Sequence, residues 1–211
     1  MDAIGTNPAV TAAIAMWEAW ATAQRGYRQQ PGLSLGVVYD QQLIWAQGVG
    51  TSDREQATPA TPATIYRIAS ITKLFTATAI MQQRDAGRLR LDDPVAEHLP
   101  WFQVKPAAAD APAITIRHLL THTAGLPRES PFPYWTDGAF PSREQLIAAL
   151  PDQQAVFAPE TRWKYSNLAL TLAGEVVQAT SGQPYADYMH AHILAPLGMD
   201  STSVALPDEQ R

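Results

Sequence analysis

The sequence predicts an α+β fold, and three observations carry that expectation. A helical periodicity opens the chain, two alternating apolar runs follow as a hairpin, and almost every later pattern is helical. No internal repeat or low-complexity tract interrupts this order.

Asn7-Pro8 has the chemistry of a helix start, with Asn7 as N-cap and Pro8 at the first helical position. Val10, Ile14, Trp17 and Ala21 then share one face. The stretch from Ala3 to Trp17 is uncharged, yet it reads as a packing helix rather than a secretion signal. The charge before it is Asp2, where a signal carries Lys or Arg, and Gly5, Thr6, Asn7 and Pro8 break the apolar run. Leu33, Leu35, Val37 and Tyr39 alternate as a strand, and so do Leu43, Trp45, Gln47 and Val49. Asp40-Gln41-Gln42 joins them as a hairpin turn, and 57–62 reads as a loop rich in Thr, Pro and Ala.

A helix is expected from Ser70 to Ala86, stopped by Gly87. Residues 91–100 form a turn region, and Thr115 to His122 is helical again. Arg128 to Pro141 holds three prolines with Phe132, Tyr134, Trp135 and Phe140, and is expected as a long ordered loop. Helices follow over Ser142–Leu150, with Ser142 as N-cap, over Leu168–Ala179, and over Tyr185–Leu194. The chain divides by these patterns into 1–62, the N-terminal helix and hairpin, and 63–211, a mostly helical region.

Composition narrows the function classes. A chain of 211 residues buries a core without staples. The absence of cysteine excludes disulfides, zinc–cysteine sites and a thiol nucleophile. A formal charge of −5 argues against a nucleic-acid partner. No window of about 18 uncharged apolar residues marks a membrane span.

Two short motifs carry chemistry. Ser70-Ile71-Thr72-Lys73 places a lysine three residues after a serine, on one helical face. In the first turn of a helix the serine also meets free N–H groups and the positive end of the dipole. A serine needs an adjacent base, and lysine is one that serves. With nine serines and three lysines, chance supplies only about 0.1 such pairs. Tyr165-Ser166-Asn167 is the second motif. Tyr165 suits general-base work if an ammonium lowers its pKa. Asn167 carries both a donor and an acceptor, to hold Lys73 and a substrate amide, and it also stands where it would cap the helix from Leu168.

Other residues read more plainly. His118 and His122 are four apart but have no Glu between them and no third ligand placed by spacing, so structural hydrogen bonds are expected and neither metal nor cofactor is. His190 and His192 are expected at the surface. Trp45, Trp101 and Trp163 are expected in the core. The aromatic loop holding Phe132, Tyr134 and Trp135 suits either packing or the rim of a cleft.

At the two motifs the sequence resembles the serine penicillin-recognising superfamily, in the branch of class C β-lactamases, D-aminopeptidases and β-lactamase-fold esterases. The resemblance runs from about Pro31 to Thr202. It is carried by Tyr66 to Lys73, by Gly87-Arg88-Leu89 through Leu91-Asp92-Asp93-Pro94-Val95, by Ile116 to Leu126, by Tyr165 to Asn167 with Leu170, Leu172, Gly174 and Val177, and by Pro196-Leu197-Gly198-Met199.

The resemblance implies a β-lactamase/transpeptidase-like fold and a serine hydrolase acting through an acyl-enzyme on a β-lactam, a D-amino-acid peptide or a small ester. It implies Ser70 as nucleophile, Lys73 and Tyr165 sharing proton transfer, Asn167 orienting Lys73 and substrate, and the Ser70 N–H as one oxyanion donor. The sequence departs from the family in two places. Pro159-Glu160 stands where the family has Pro-Gly, and no Lys or His followed by Ser or Thr and then Gly comes after Asn167. The strands carrying that third motif are expected beyond Arg211. Two rival expectations follow: a non-catalytic binding module, or a split enzyme completed by a second chain or by strand exchange in a dimer.

Overall fold

The computed structural model describes Ile4 and residues 7–205. Asp2, Ala3, Gly5 and Thr6, which entered the reading of the N-terminus, lie outside the described residues. The chain forms two compact units, 1–67 and 68–211.

The first unit opens with α1 (Pro8–Tyr27), where the Asn7 side chain accepts the Ala9 N–H and Pro8 occupies the first turn. Ala21 is buried, with Val10 and Ile14 half-buried beside it. Trp17 departs from the expected face and is 55% exposed, while Glu18 is half-buried. At 100° per residue the covered stripe is centred between positions 14 and 18, which leaves position 17 on its margin. Trp17 packs edge-on against Trp20 instead, at 5.3 Å.

Strands β1 (Gly32–Tyr39), β2 (Gln42–Asp53) and β3 (Thr58–Pro59) form an antiparallel sheet in that order. The expected three-residue turn is a two-residue one. Tyr39 pairs with Gln42, and Asp40 and Gln41 both have positive φ, as a type I′ hairpin demands. A register shift between Val37 and Val38 passes over Ile44 and leaves Leu43 exposed, so the alternation read for β2 fails at its start. Part of the expected loop at 57–62 pairs as β3, bringing Ala60 against β2. A Cβ on Gly48 would stand 2.0 Å from the Ala60 carbonyl oxygen.

The second unit holds the helices α2 (Thr72–Asp85), α3 (Val95–His98), α4 (Ile116–Thr121), α5 (Tyr134–Asp137), α6 (Arg143–Ala149), α7 (Asn167–Ser181) and α8 (Tyr185–Met189). Its core joins Ala79 and Ile80 of α2 to Ile116 and Leu119 of α4 and to the buried stripe of α7, Leu168, Leu172, Ala173, Val176 and Val177. Helix α7 is buried on so much of its circumference because α2, α4 and α8 all pack on it. Helix α2 is buried on one face only. Thr76, Ala79, Ile80 and Gln83 are buried, whereas Ile71 and Leu74 are exposed.

Caps fix the helix starts. Ser142 and Gln145 form a capping box for α6. Thr115 and His118 do the same for α4, which makes the buried His118 a capping group. The helix expected over 185–194 keeps α-geometry only to Met189 and widens to π-geometry over His190–Leu194. The long loop at 128–141 contains the single helical turn of α5. Among the described residues, no helix is long and apolar enough to cross a membrane.

Core packing and exposure predict different costs on two leucines. Leu172→Ala, in the buried stripe of α7, is expected to cost about 2–5 kcal/mol. Leu74→Ala, at a side chain left in solvent, is expected within about 0.5 kcal/mol of wild type. Urea unfolding of both variants checks this, and equal costs would refute the assignment of the core.

Candidate active site

Ser70 lies in a single 3₁₀ turn, Ala69–Ile71, just ahead of α2 rather than inside it. Ala69 has φ +46°, a conformation that costs a non-glycine residue about 1–3 kcal/mol. Lys73 follows in the first turn of α2, and its Nζ donates to Ser70 Oγ at 3.1 Å. The spacing of three residues therefore performs as read from sequence.

Tyr165 and Asn167 arrive from the other side of the same unit. Ser166 between them is extended, with φ −137° and ψ 119°, so its two neighbours project to the side opposite its own. Ser166 is 1% exposed. Its Oγ donates to Pro127 O at 2.6 Å and accepts the Ala169 N–H at 2.9 Å, so Ser166 is the N-cap of α7. This corrects the expectation that Asn167 caps the helix. Relieved of that task, Asn167 presents Oδ1 to Lys73 Nζ at 2.7 Å. Tyr165 donates its hydroxyl to Ser70 Oγ at 2.7 Å. The four residues singled out from the sequence thus form one hydrogen-bonded chain.

Charge collects around the phenol. Lys73 Nζ lies 4.7 Å from the Tyr165 ring centroid and the Arg128 guanidinium 5.2 Å from it. The Lys73 ammonium, then the Ser70 hydroxyl, and with them the Arg128 charge hold the phenol below its ordinary value against the opposing effect of burial. His122 closes the other side, its ring 4.5 Å from that of Tyr165. Its Nδ1 accepts the Ser166 N–H, which leaves the proton on Nε2. Burial, and then the Lys73 charge, push His122 below the ordinary imidazole value. His122 is therefore a neutral wall beside a cation.

The turns behind the site are tightly specified. Gly125 has φ +70°, and a Cβ there would stand 1.9 Å from Phe157 O. Glu160, which replaces the family's glycine, keeps a left-handed φ of +63°. Its carboxylate lies 3.2 Å from His118 Nε2. Glu160 thus holds a backbone conformation that glycine favours, and its side chain has a partner in His118.

Three participants went unread. Glu129 accepts Asn167 Nδ2 at 2.8 Å through Oε1 and the Tyr134 hydroxyl through Oε2. Arg128 stands over Tyr165. Trp163, expected in the core, is 68% exposed and meets His122 edge-on at 6.0 Å. For Glu129 and Arg128 the sequence offers no signal beyond their place just after the Ala124-Gly125-Leu126-Pro127 turn. For Trp163 the sole hint is its position two residues before Tyr165.

A hydroxyl that accepts from both an ammonium and a phenol has the parts of a serine acyl-transfer site. Comparison with known proteins gives the same class. The chain belongs to the Beta-lactamase family, whose pattern it matches over residues 17–211. It is similar to the esterase EstB of Burkholderia gladioli, with 33% identity over 187 residues, covering 81% of this chain and 46% of that protein. It is also similar to the D-alanyl-D-alanine-carboxypeptidase/endopeptidase AmpH of Escherichia coli, with 33% identity over 183 residues, covering 85% of this chain and 47% of the relative. Among solved structures, the octameric penicillin-binding protein homologue from Pyrococcus abyssi superposes with a TM-score of 0.79 at 34% identity, over 89% of this chain and 43% of that one. The α+β expectation, in its β-lactamase/transpeptidase-like form, is borne out. The chain spans about half the length of these relatives or less.

Two titrations test the electrostatics. Removing the ammonium in Lys73→Ala should let the Tyr165 phenol rise toward its ordinary value near 10, followed by NMR of ring-labelled tyrosine. An unchanged titration would remove Lys73 as the cause. For His122 the folded value is depressed below 6.5, so the unfolded chain takes up the proton first as pH falls. Its contribution to stability is complete above about pH 6.5 and is lost as pH drops through the folded value. Thermal midpoints from about pH 7.5 to about pH 4.5 should fall less steeply in His122→Asn than in wild type. Parallel curves would count against this contribution.

Proposed function

We propose that this chain carries the nucleophile of a serine hydrolase that forms an acyl-enzyme through Ser70 on an amide or ester. The observation that carries the reading is the placement of Lys73 Nζ and the Tyr165 hydroxyl at 3.1 and 2.7 Å from the same Ser70 oxygen. In the form of the Lys73–Tyr165 pair that has lost one proton, Ser70 Oγ bonds to the acyl carbon and its own proton fills that vacancy. The same pair returns a proton to the departing nitrogen or oxygen as the carbonyl re-forms. Water then repeats the sequence on the ester and frees Ser70. The proton is assigned to the pair and not to either group alone. Asn167 holds Lys73 toward Ser70, and the Ser70 N–H at the head of α2 serves as an oxyanion donor.

The names of the relatives span esters and D-alanyl-D-alanine peptides, and the substrate of this chain falls within that range of acyl compounds. Intact-mass measurement after a fluorophosphonate or penicillin tests the reading. One adduct is expected on wild type and none on Ser70→Ala. Lys73→Ala should slow the adduct by about 10²-fold or more. An adduct that persists in Ser70→Ala would sink the assignment.

A further inference from the structure

Glu129 takes no part in the reaction as proposed, yet both its carboxylate oxygens are engaged beside it. One oxygen accepts Asn167 Nδ2 at 2.8 Å and lies 3.3 Å from Arg128 Nε. The other accepts the Tyr134 hydroxyl. An ionised carboxylate only accepts hydrogen bonds, whereas a carboxamide has one accepting and one donating end. Asn167 can therefore offer Glu129 nothing but its NH₂. Its oxygen is then left facing Lys73 Nζ, at 2.7 Å. The reverse orientation would set Oδ1 against a carboxylate and NH₂ against an ammonium, two repulsions in place of two charge-assisted bonds.

We infer that Glu129 is a positioning residue that fixes the orientation of the Asn167 carboxamide and, through it, the aim of Lys73 at Ser70. The inference rests on the acyl-enzyme reading only for its catalytic consequence. It also gives the aromatic loop a task. Tyr134 of α5 stacks on Phe140 at 5.1 Å and lies tilted against Trp135 at 5.4 Å, and that cluster carries the hydroxyl that holds Glu129. The loop thereby reaches the nucleophile through four side chains, Tyr134, Glu129, Asn167 and Lys73.

The test uses the full chain with Glu129→Ala and Glu129→Gln, after matched thermal melts. In wild type the Asn167 side-chain NH₂ should show one exchange-protected proton by ¹⁵N NMR. Glu129→Ala should lose that protection and slow fluorophosphonate acylation by up to roughly a hundredfold. Glu129→Gln keeps an accepting carbonyl and should recover much of the rate. Tyr165 separates position from charge. It faces Lys73, Arg128 and His122, so a displaced Lys73 raises its titration, while loss of the Glu129 charge alone lowers it. A rise in Glu129→Ala supports positioning, and a fall argues for charge alone. Asn167 resonances that do not move in Glu129→Ala overturn the inference whatever the rate does. If wild type forms no adduct while those resonances do move, the acyl-enzyme reading fails and the hold on Asn167 stands.

Discussion

An ammonium group in a partly covered place must find acceptors, and the second unit of this protein is arranged around that demand. Lys73 Nζ meets Ser70 Oγ, Asn167 Oδ1 and the face of the Tyr165 ring. Each of these comes from a different stretch of chain: the 3₁₀ turn ahead of α2, the first residue of α7, and the extended segment before it. The packing of α2 on α7 sets the distance between those stretches. The apolar core beneath, from Ile80 to Val176, fixes the packing. Close packing resists small displacements, so a site built this way keeps its distances without help from substrate.

Ser166 is the hinge between core and chemistry. A spacing of two is the period of extended chain, so Tyr165 and Asn167 share a side and Ser166 takes the other. Its hydroxyl both donates and accepts, which ties the start of α7 to Pro127. Its backbone N–H also sets the tautomer of His122. The middle residue of the motif is silent in the reaction and decisive for its geometry.

The order of elements and the four central residues were legible because they are local: periodicity, caps and spacings of two or three. What escaped reading depends on contacts distant in sequence. Residue type puts Trp163 in the interior, but type does not say which side of an element is covered. Asn167 seemed a cap because asparagine often is, and only the buried hydroxyl of Ser166 decides otherwise. Glu129 meets Asn167 across 38 residues, and no pattern announces such a pair. Glu160 stands out in the sequence as a departure, but its left-handed φ is visible only in the structure.

The segment from His122 to Arg128 is laced to the residues before α7 by backbone hydrogen bonds: Lys164 N–H to His122 O, Glu160 N–H to Thr123 O, Val156 N–H to Gly125 O and Asn167 N–H to Arg128 O. In a chain without cysteine these bonds, with Ser166 on Pro127, close the excursion as a covalent bridge would. Once the ends of a loop are pinned, doubling its length costs only about 0.6 kcal/mol. The turn at Gly138, between Trp135 and Phe140 of the ring cluster and before the cap of α6, is therefore a grafting point. New sequence placed there leaves the catalytic distances to the clamped frame.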